Sequence, residues 1–229
     1  MNFASITHTG LMRRENQDYL GSQKTDSGYV FIVCDCVGGL PKGALASRVA
    51  VESILSDFSG KIDDAEGMLR KSLTNAHENV DKASNKFIGT TVTALYLENR
   101  TAFAAWCGDS RIYQFQDQSI KWMSRDHNVL HDILNRGIGK GDVYQNPQAI
   151  TRFLGRKENH QSDFHKFHIN PGDVILLCSD GLHGFIIEPD IIKATTEFSP
   201  KIASGMLEKK LLSKKIGAPD NFSWIIIHI

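Results

Sequence analysis

Tyr29-Val30-Phe31-Ile32-Val33-Cys34-Asp35-Cys36-Val37-Gly38-Gly39 decides the reading of this chain: an apolar, strand-like run ends abruptly at an aspartate and a glycine-containing turn. The pattern recurs. Residues 102–107 run into Gly108-Asp109-Ser110-Arg111, and residues 174–178 run into Ser179-Asp180-Gly181. Asp220-Asn221 instead precedes the apolar run 224–229, and Asp18 follows the turn of residues 10–17. One carboxylate at the end of a buried strand is common. Five of them suggest an acidic centre built on rigid sheet ends, which only cations can hold together at neutral pH because like charges at close range repel. Oxygen donors alone favour magnesium, manganese or calcium over zinc.

Working outward, the 229 residues suffice for one full-sized domain, and 41% apolar with 23% charged residues is ordinary globular composition. The zero net charge and the lack of a basic block give no sign of a nucleic-acid or anionic-membrane partner. Apolar runs are strand-sized, far short of the ~18 residues of a membrane span. Residues 1–6 lack the basic and apolar regions of a secretory signal, so the chain reads as cytoplasmic. The four cysteines, Cys34, Cys36, Cys107 and Cys178, suit neither a disulfide framework nor a zinc site. They read as small apolar residues at strand ends, with redox sensitivity left open because three of the aspartates lie beside them.

Strands are predicted at 2–8, 29–34, 90–98, 101–106, 112–115 and 120–123, the last four joined by short turns into antiparallel hairpins. Helices are predicted at 43–58, at 64–86 with Asp63 or Asp64 as cap, and at 128–136. Residues 137–149 are rich in Gly, Asn, Asp and Pro and read as irregular. The turn signal Asn170-Pro171-Gly172-Asp173 predicts a hairpin of 164–169 with 174–178. Helices at 190–196 and 201–215 and a last apolar strand complete an α+β domain, sheets covered by helices, over residues 1–229.

These segments together resemble the metal-dependent protein phosphatases of the PPM, or type 2C, family, particularly its compact bacterial serine/threonine members. The likeness covers essentially the whole chain, in order: Gly10-Leu11-Met12-Arg13-Arg14-Glu15-Asn16-Gln17-Asp18, Asp35-Cys36-Val37-Gly38-Gly39, Gly89-Thr90-Thr91, Gly108-Asp109-Ser110-Arg111, Arg125-Asp126-His127, Ile150-Thr151-Arg152-Phe153-Leu154-Gly155, Ser179-Asp180-Gly181-Leu182 and Asp220-Asn221. The resemblance implies two stacked antiparallel β-sheets flanked by helices, with a dinuclear Mn²⁺ or Mg²⁺ centre at one edge. It implies Asp35 as the bridging ligand, the main-chain carbonyl of Cys36 as a further one, and Asp180 and Asp220 completing one shell. Asp18 would act on the other ion, directly or through water. Asp109, shared with Asp180, would belong to a third, weaker site. Arg13 would bind the substrate phosphate, ahead of Arg14 on its spacing to Asn16 and Asp18, and the stretch near 137–149 would be a flap. The activity implied is hydrolysis of phosphoserine and phosphothreonine on proteins by an activated bridging water, opposing a bacterial serine/threonine kinase. The alternative is a catalytically weak pseudophosphatase serving as a phosphoprotein-binding or scaffold module.

Two positions depart from the family pattern. Cys36 stands where glycine is usual and is strained if that backbone is left-handed. Val37 lies where some members carry a histidine proposed as general acid, which leaves water to protonate the leaving group. Asp126-His127 reads as a structural pair suited to capping the following helix. His8, His131, His160, His165 and His168 show no ligand spacing and read as surface or flap residues, and Asp173 as a turn residue.

Overall fold

The computed structural model describes residues 1–38, 42–136, 146–155 and 161–229. Two five-stranded sheets stack face to face. One contains β1 (Asn2–His8), β10 (Phe222–His228), β9 (Val174–Cys178), β6 (Arg111–Gln116) and β7 (Ser119–Met123), in that order. The other contains β2 (Tyr19–Lys24), β3 (Gly28–Cys34), β4 (Val92–Glu98), β5 (Thr101–Cys107) and β8 (Asp163–His168). Every neighbouring pair is antiparallel.

The central strands are apolar on both faces because both faces are covered. In β3, Val30, Ile32 and Cys34 turn toward α1 (Gly43–Asp57) and α2 (Ala65–Lys82), while Phe31 and Val33 fill the space between the sheets. In β9 and β10, Leu176, Cys178, Trp224 and Ile226 face α5 (Glu188–Glu197) and α6 (Pro200–Leu211), while Ile175, Leu177, Ile225 and Ile227 meet the other sheet. Three apolar layers, with period-two alternation feeding two of them from each strand, give the expected helix–sheet–sheet–helix order. Of the two caps expected, Asp63 and Asp64, the second serves: Asp64 Oδ1 accepts from Gly67 N at 2.9 Å. Among the described residues no helix is long and apolar enough to cross a membrane.

Several sequence expectations need correction. The turn at 170–173 is not a hairpin. β8 lies at the edge of one sheet beside β5, and β9 lies inside the other between β10 and β6. A turn signal fixes a reversal of the chain, not the partner strand: Phe164 packs into the α1–α2 layer, whereas Val174 and Leu176 belong to the α5–α6 layer. Asp173 is buried at this crossover, its Oδ2 accepting from Gln114 Nε2 at 2.8 Å and Asn170 N at 3.1 Å. The chain likewise crosses between sheets at Gly108-Asp109-Ser110, so only β4–β5 and β6–β7 of the predicted run are hairpins. β2 escaped prediction because it is a polar edge strand paired only with β3. A four-residue helix, α4 (Asp180–His183), follows β9, and α2 and α6 stop at Lys82 and Leu211, short of the predicted ends. Asp126 does not cap α3 (Val129–Arg136). That role falls to Asn128, whose Oδ1 accepts from His131 N at 2.9 Å, while Asp126 receives two 2.7 Å bonds from Arg111. His8 and His165 are part-buried rather than superficial, stacked on Phe222 and Trp122. Most of the expected flap (137–145), Gly39 and His160 lie outside the described residues.

Candidate active site

Asp35 is held by its backbone. β3 ends at Cys34, and the next peptide is clamped by the Thr90-Thr91 segment: Thr91 N and Thr90 Oγ1 donate to Asp35 O at 2.8 Å each, and Asp35 N donates to Thr91 Oγ1 at 3.0 Å. Ser110 Oγ, 2.7 Å from Thr91 Oγ1, ties the clamp to the Asp109 crossover. These fixed peptides set where the Asp35 side chain leaves the backbone. Asp18 enters from the adjacent strand, because Tyr19 pairs with Cys34 in the β2–β3 register. Asp180 opens α4 directly after β9, where the helix N-terminus favours a carboxylate.

The carboxyl of Asp35 lies near those of Asp18 and Asp180, close enough for both to act on its charge. Burial, reinforced by the charges of Asp18 and Asp180, raises its pKa well above the usual carboxylate range. Burial likewise pushes Asp18 up to about 6, raises Asp180, and pushes Asp109 up to about 7. Protons or cations must lie between these oxygens, since bare carboxylates so close repel. Asp18 is 4% exposed and sits beneath the cleft, its Oδ2 accepting from Ser179 Oγ at 2.8 Å. Asp18 Oδ1 and Asp109 Oδ1 are buried without a hydrogen-bond partner. Such an all-oxygen, charge-rich and under-bonded donor set suits a hard divalent cation. Among the described residues, no three His, Cys, Asp or Glu side chains already stand as a finished metal cage. The carboxylates lean on one another instead, and Asp220 Oδ2 is engaged by Arg13 Nη2 at 2.8 Å.

A cleft of about 580 Å³ opens over this group, lined by Arg13, Asp35, Cys36, Asp109, Asp180 and Asp220 together with Asn146 and Gln148. Arg13 is half exposed at the mouth, and its hydrogen bond to Asp220 raises its pKa, so it remains charged. Arg14, the other candidate, does not line the cleft. Sequence reading assigned no task to Asn221, which fixes the whole loop bearing Arg13. Its Nδ2 donates to Thr9 O at 2.7 Å and Glu15 O at 2.9 Å, and its Oδ1 accepts from Gln17 N at 2.9 Å. Pairing of one carboxamide with both ends of a loop is a tertiary fact; the only sequence signal was adjacency to Asp220.

Asp109 is anchored through its main chain, 3.0 Å from His183 Nε2 on α4. Burial beside Arg111 lowers His183 to about 4, so the ring is neutral. His127 Nδ1 accepts from Gly108 N at 3.2 Å, and burial lowers its pKa; with Arg111–Asp126 it braces the crossover rather than reaching the cleft. The strain expected at Cys36 is absent: Cys36 is not among the residues with positive φ, and the left-handed position of the turn is Gly38 at 68°. Its side chain lies against the start of α1, where a Cβ on Gly43 would overlap Cys36 Sγ. None of the four cysteines forms a disulfide, and burial pushes Cys107 up to about 12 and also raises Cys34 and Cys178.

The family profile described as Protein phosphatase 2C matches residues 10–212. The serine/threonine phosphatase stp of Listeria welshimeri is 28% identical over 239 aligned positions, which span 96% of this chain and 93% of that protein. Among solved structures, the PPM Ser-Thr phosphatase MsPP of Mycobacterium smegmatis, in complex with cacodylate, superposes with a TM-score of 0.83 at 26% identity over 100% of this chain and 98% of that one. The catalytic domain of serine threonine protein phosphatase PstP, in complex with two manganese ions, gives 0.83 at 21% identity over 98% of this chain and 96% of that one, a likeness of fold.

Proposed function

The chain belongs to the protein phosphatase 2C family of metal-dependent serine/threonine phosphatases, and from that premise we propose that it removes phosphate from phosphoserine and phosphothreonine of proteins in the acidic cleft. In this reading Asp35, Asp180, Asp220 and the main-chain carbonyl of Cys36 hold two Mn²⁺ or Mg²⁺ ions. Asp18 acts from beneath, and Asp109 contributes to a third site. The observation that carries the reading is the convergence of three strand-end carboxylates, Asp18, Asp35 and Asp180, under a cleft whose mouth holds a charged arginine.

When bound, such cations supply an activated water nucleophile and neutralise charge on the phosphoryl oxygens. The chain's own residues bind and orient. Arg13 donates one N–H to Asp220 and has further donors in its planar fork for two phosphoryl oxygens. The Thr90-Thr91 clamp keeps Asp35 from drifting as charge redistributes. As the water oxygen bonds to phosphorus, the bond to the seryl oxygen breaks, and that oxygen takes a proton. Val37 has none to give, so it comes from water in the cleft. A cytoplasmic setting and an opposing serine/threonine kinase complete the proposal.

The test is release of phosphate from a phosphoserine peptide and from an aryl phosphate, with Mn²⁺, with Mg²⁺ and with chelator. Metal-dependent turnover of both is expected. Full activity in metal-stripped protein would sink the metal assignment, and peptide binding without turnover would favour the scaffold alternative.

A further inference from the structure

Leu11 and Met12 directly precede Arg13 and are 61% and 74% exposed; Met12 is the most exposed large apolar side chain among the described residues. The loop that displays them is tied on both sides. Asn221 grips Thr9 and Glu15, Leu11 N donates to Ala218 O at 2.8 Å, and Gly10 N donates to His8 Nδ1 at 2.8 Å. At Gly10, with φ of 77°, a Cβ would overlap Asp220 O, so the loop rests directly on the backbone that carries a cleft carboxylate. A rigid element therefore holds two adjacent apolar side chains in water beside the phosphate-binding arginine.

We propose that Leu11 and Met12 form an apolar subsite for the side chain flanking the phosphorylated residue, so that the preferred substrate is a phosphopeptide with an aliphatic or aromatic neighbour. The inference rests on the phosphatase reading above and adds a sequence preference to it. The reaction itself fixes the occupant: a phosphoryl group seated at Arg13 brings its polypeptide across this rim. Leu11 and Met12 lie just outside the residues that line the cleft. Neighbouring Cα atoms lie about 3.8 Å apart and an extended peptide advances about 3.3–3.6 Å per residue, so the side chains within their reach are those one or two positions from the phosphoserine as the peptide leaves the cleft. Methionine's unbranched thioether adapts to several apolar partners. The carboxamides of Asn146 and Gln148, which also line the cleft, offer donors and acceptors to the peptide backbone.

The experiment compares kcat/KM for two phosphoserine peptides, one with leucine and one with serine on either side of the phosphoserine, and for an aryl phosphate that does not reach the rim. Partial burial of one apolar side chain predicts a preference for the leucine peptide of roughly five- to tenfold. Both residues are exposed, so Leu11→Ser with Met12→Ser leaves the fold intact. The double variant should lose the preference while its aryl phosphate kcat/KM stays unchanged. Equal turnover of the two peptides by the parent, or a preference that survives the double substitution, overturns the subsite. So does an aryl phosphate rate that falls in step with the peptide rates. Turnover of the aryl phosphate with neither peptide cleaved would refute the phosphoprotein reading itself, and the subsite with it.

Discussion

The floor and the rim of the cleft are built on opposite principles. The floor, Asp18, Asp35 and Asp180, is fixed by strand register and backbone clamps. Its charges are buried against one another, and burial raises every one of the three. The rim, residues 9–17, is an exposed loop held by the Asn221 carboxamide and by backbone bonds from Gly10 and Leu11, and the charge of Arg13 is paired in half-open solvent with Asp220. The floor stores electrostatic tension that a divalent cation relieves, whereas the rim holds a replaceable ion pair of the kind worth little to stability. The floor should therefore control turnover and metal binding, and the rim recognition.

The largest test of that division is Asp35→Asn. It removes a shared floor charge without changing shape, so kcat should fall on the order of 10³-fold or more. Folding should survive, because the amide relieves repulsion; near-parental kcat would remove Asp35 from the metal centre. Arg13→Ala on the rim should lower kcat/KM by roughly 10- to 100-fold, chiefly through KM, since a bidentate charge-assisted contact is lost. If kcat/KM were unchanged, the role would pass to Arg14 or to no arginine.

Thermal melting then tests the buried carboxylates of the cleft, Asp109 included, without any turnover. Asp18 and Asp109 have folded-state values of about 6 and about 7, above the ordinary 3.8. Raised carboxyl values favour the folded state when protonated, so their contribution is complete below about pH 4 and is lost as pH rises through about 6 to 7. Metal-free protein should therefore lose melting temperature between pH 5 and pH 7.5. Added Mn²⁺ should restore it by several degrees at pH 7.5 and much less at pH 5, where protons compete. A Mn²⁺ shift of equal size at both pH values would mean that the cation binds elsewhere.

Cys36 carries the smallest effect. Its φ is not left-handed and its thiol lies over Gly43, so Cys36→Ala should keep steady-state rates within about twofold. Cys36→Gly should not raise activity, because there is no strain to release. A large loss of metal affinity in Cys36→Ala, or the disappearance of a peroxide sensitivity shown by the parent, would make the thiol a ligand or a switch.

The sequence alone determined what local physics can specify. Apolar runs such as 29–34 and 174–178 read as buried strands, a cap was expected at Asp63 or Asp64, and carboxylates at the ends of such runs pointed to a cation site. The resemblance carried by Arg13, Asp35, Asp180 and Asp220 supplied the family. Other features depended on distant partners. The Asn170-Pro171-Gly172-Asp173 turn looked like a hairpin because a turn records only reversal, and packing against two different helix layers sent β8 and β9 into different sheets. Asp126 looked like a cap until Arg111, 15 residues away, claimed both its oxygens. Asn221 looked like a companion to Asp220, and only folding brought it within 2.9 Å of Glu15 O, 206 residues distant in the chain. The depth of Asp18 and the exposure of Met12 were decided the same way. Periodicity and turn chemistry act over a few residues, whereas the burial of a charge or the anchoring of a loop is set by whatever the rest of the chain packs against it.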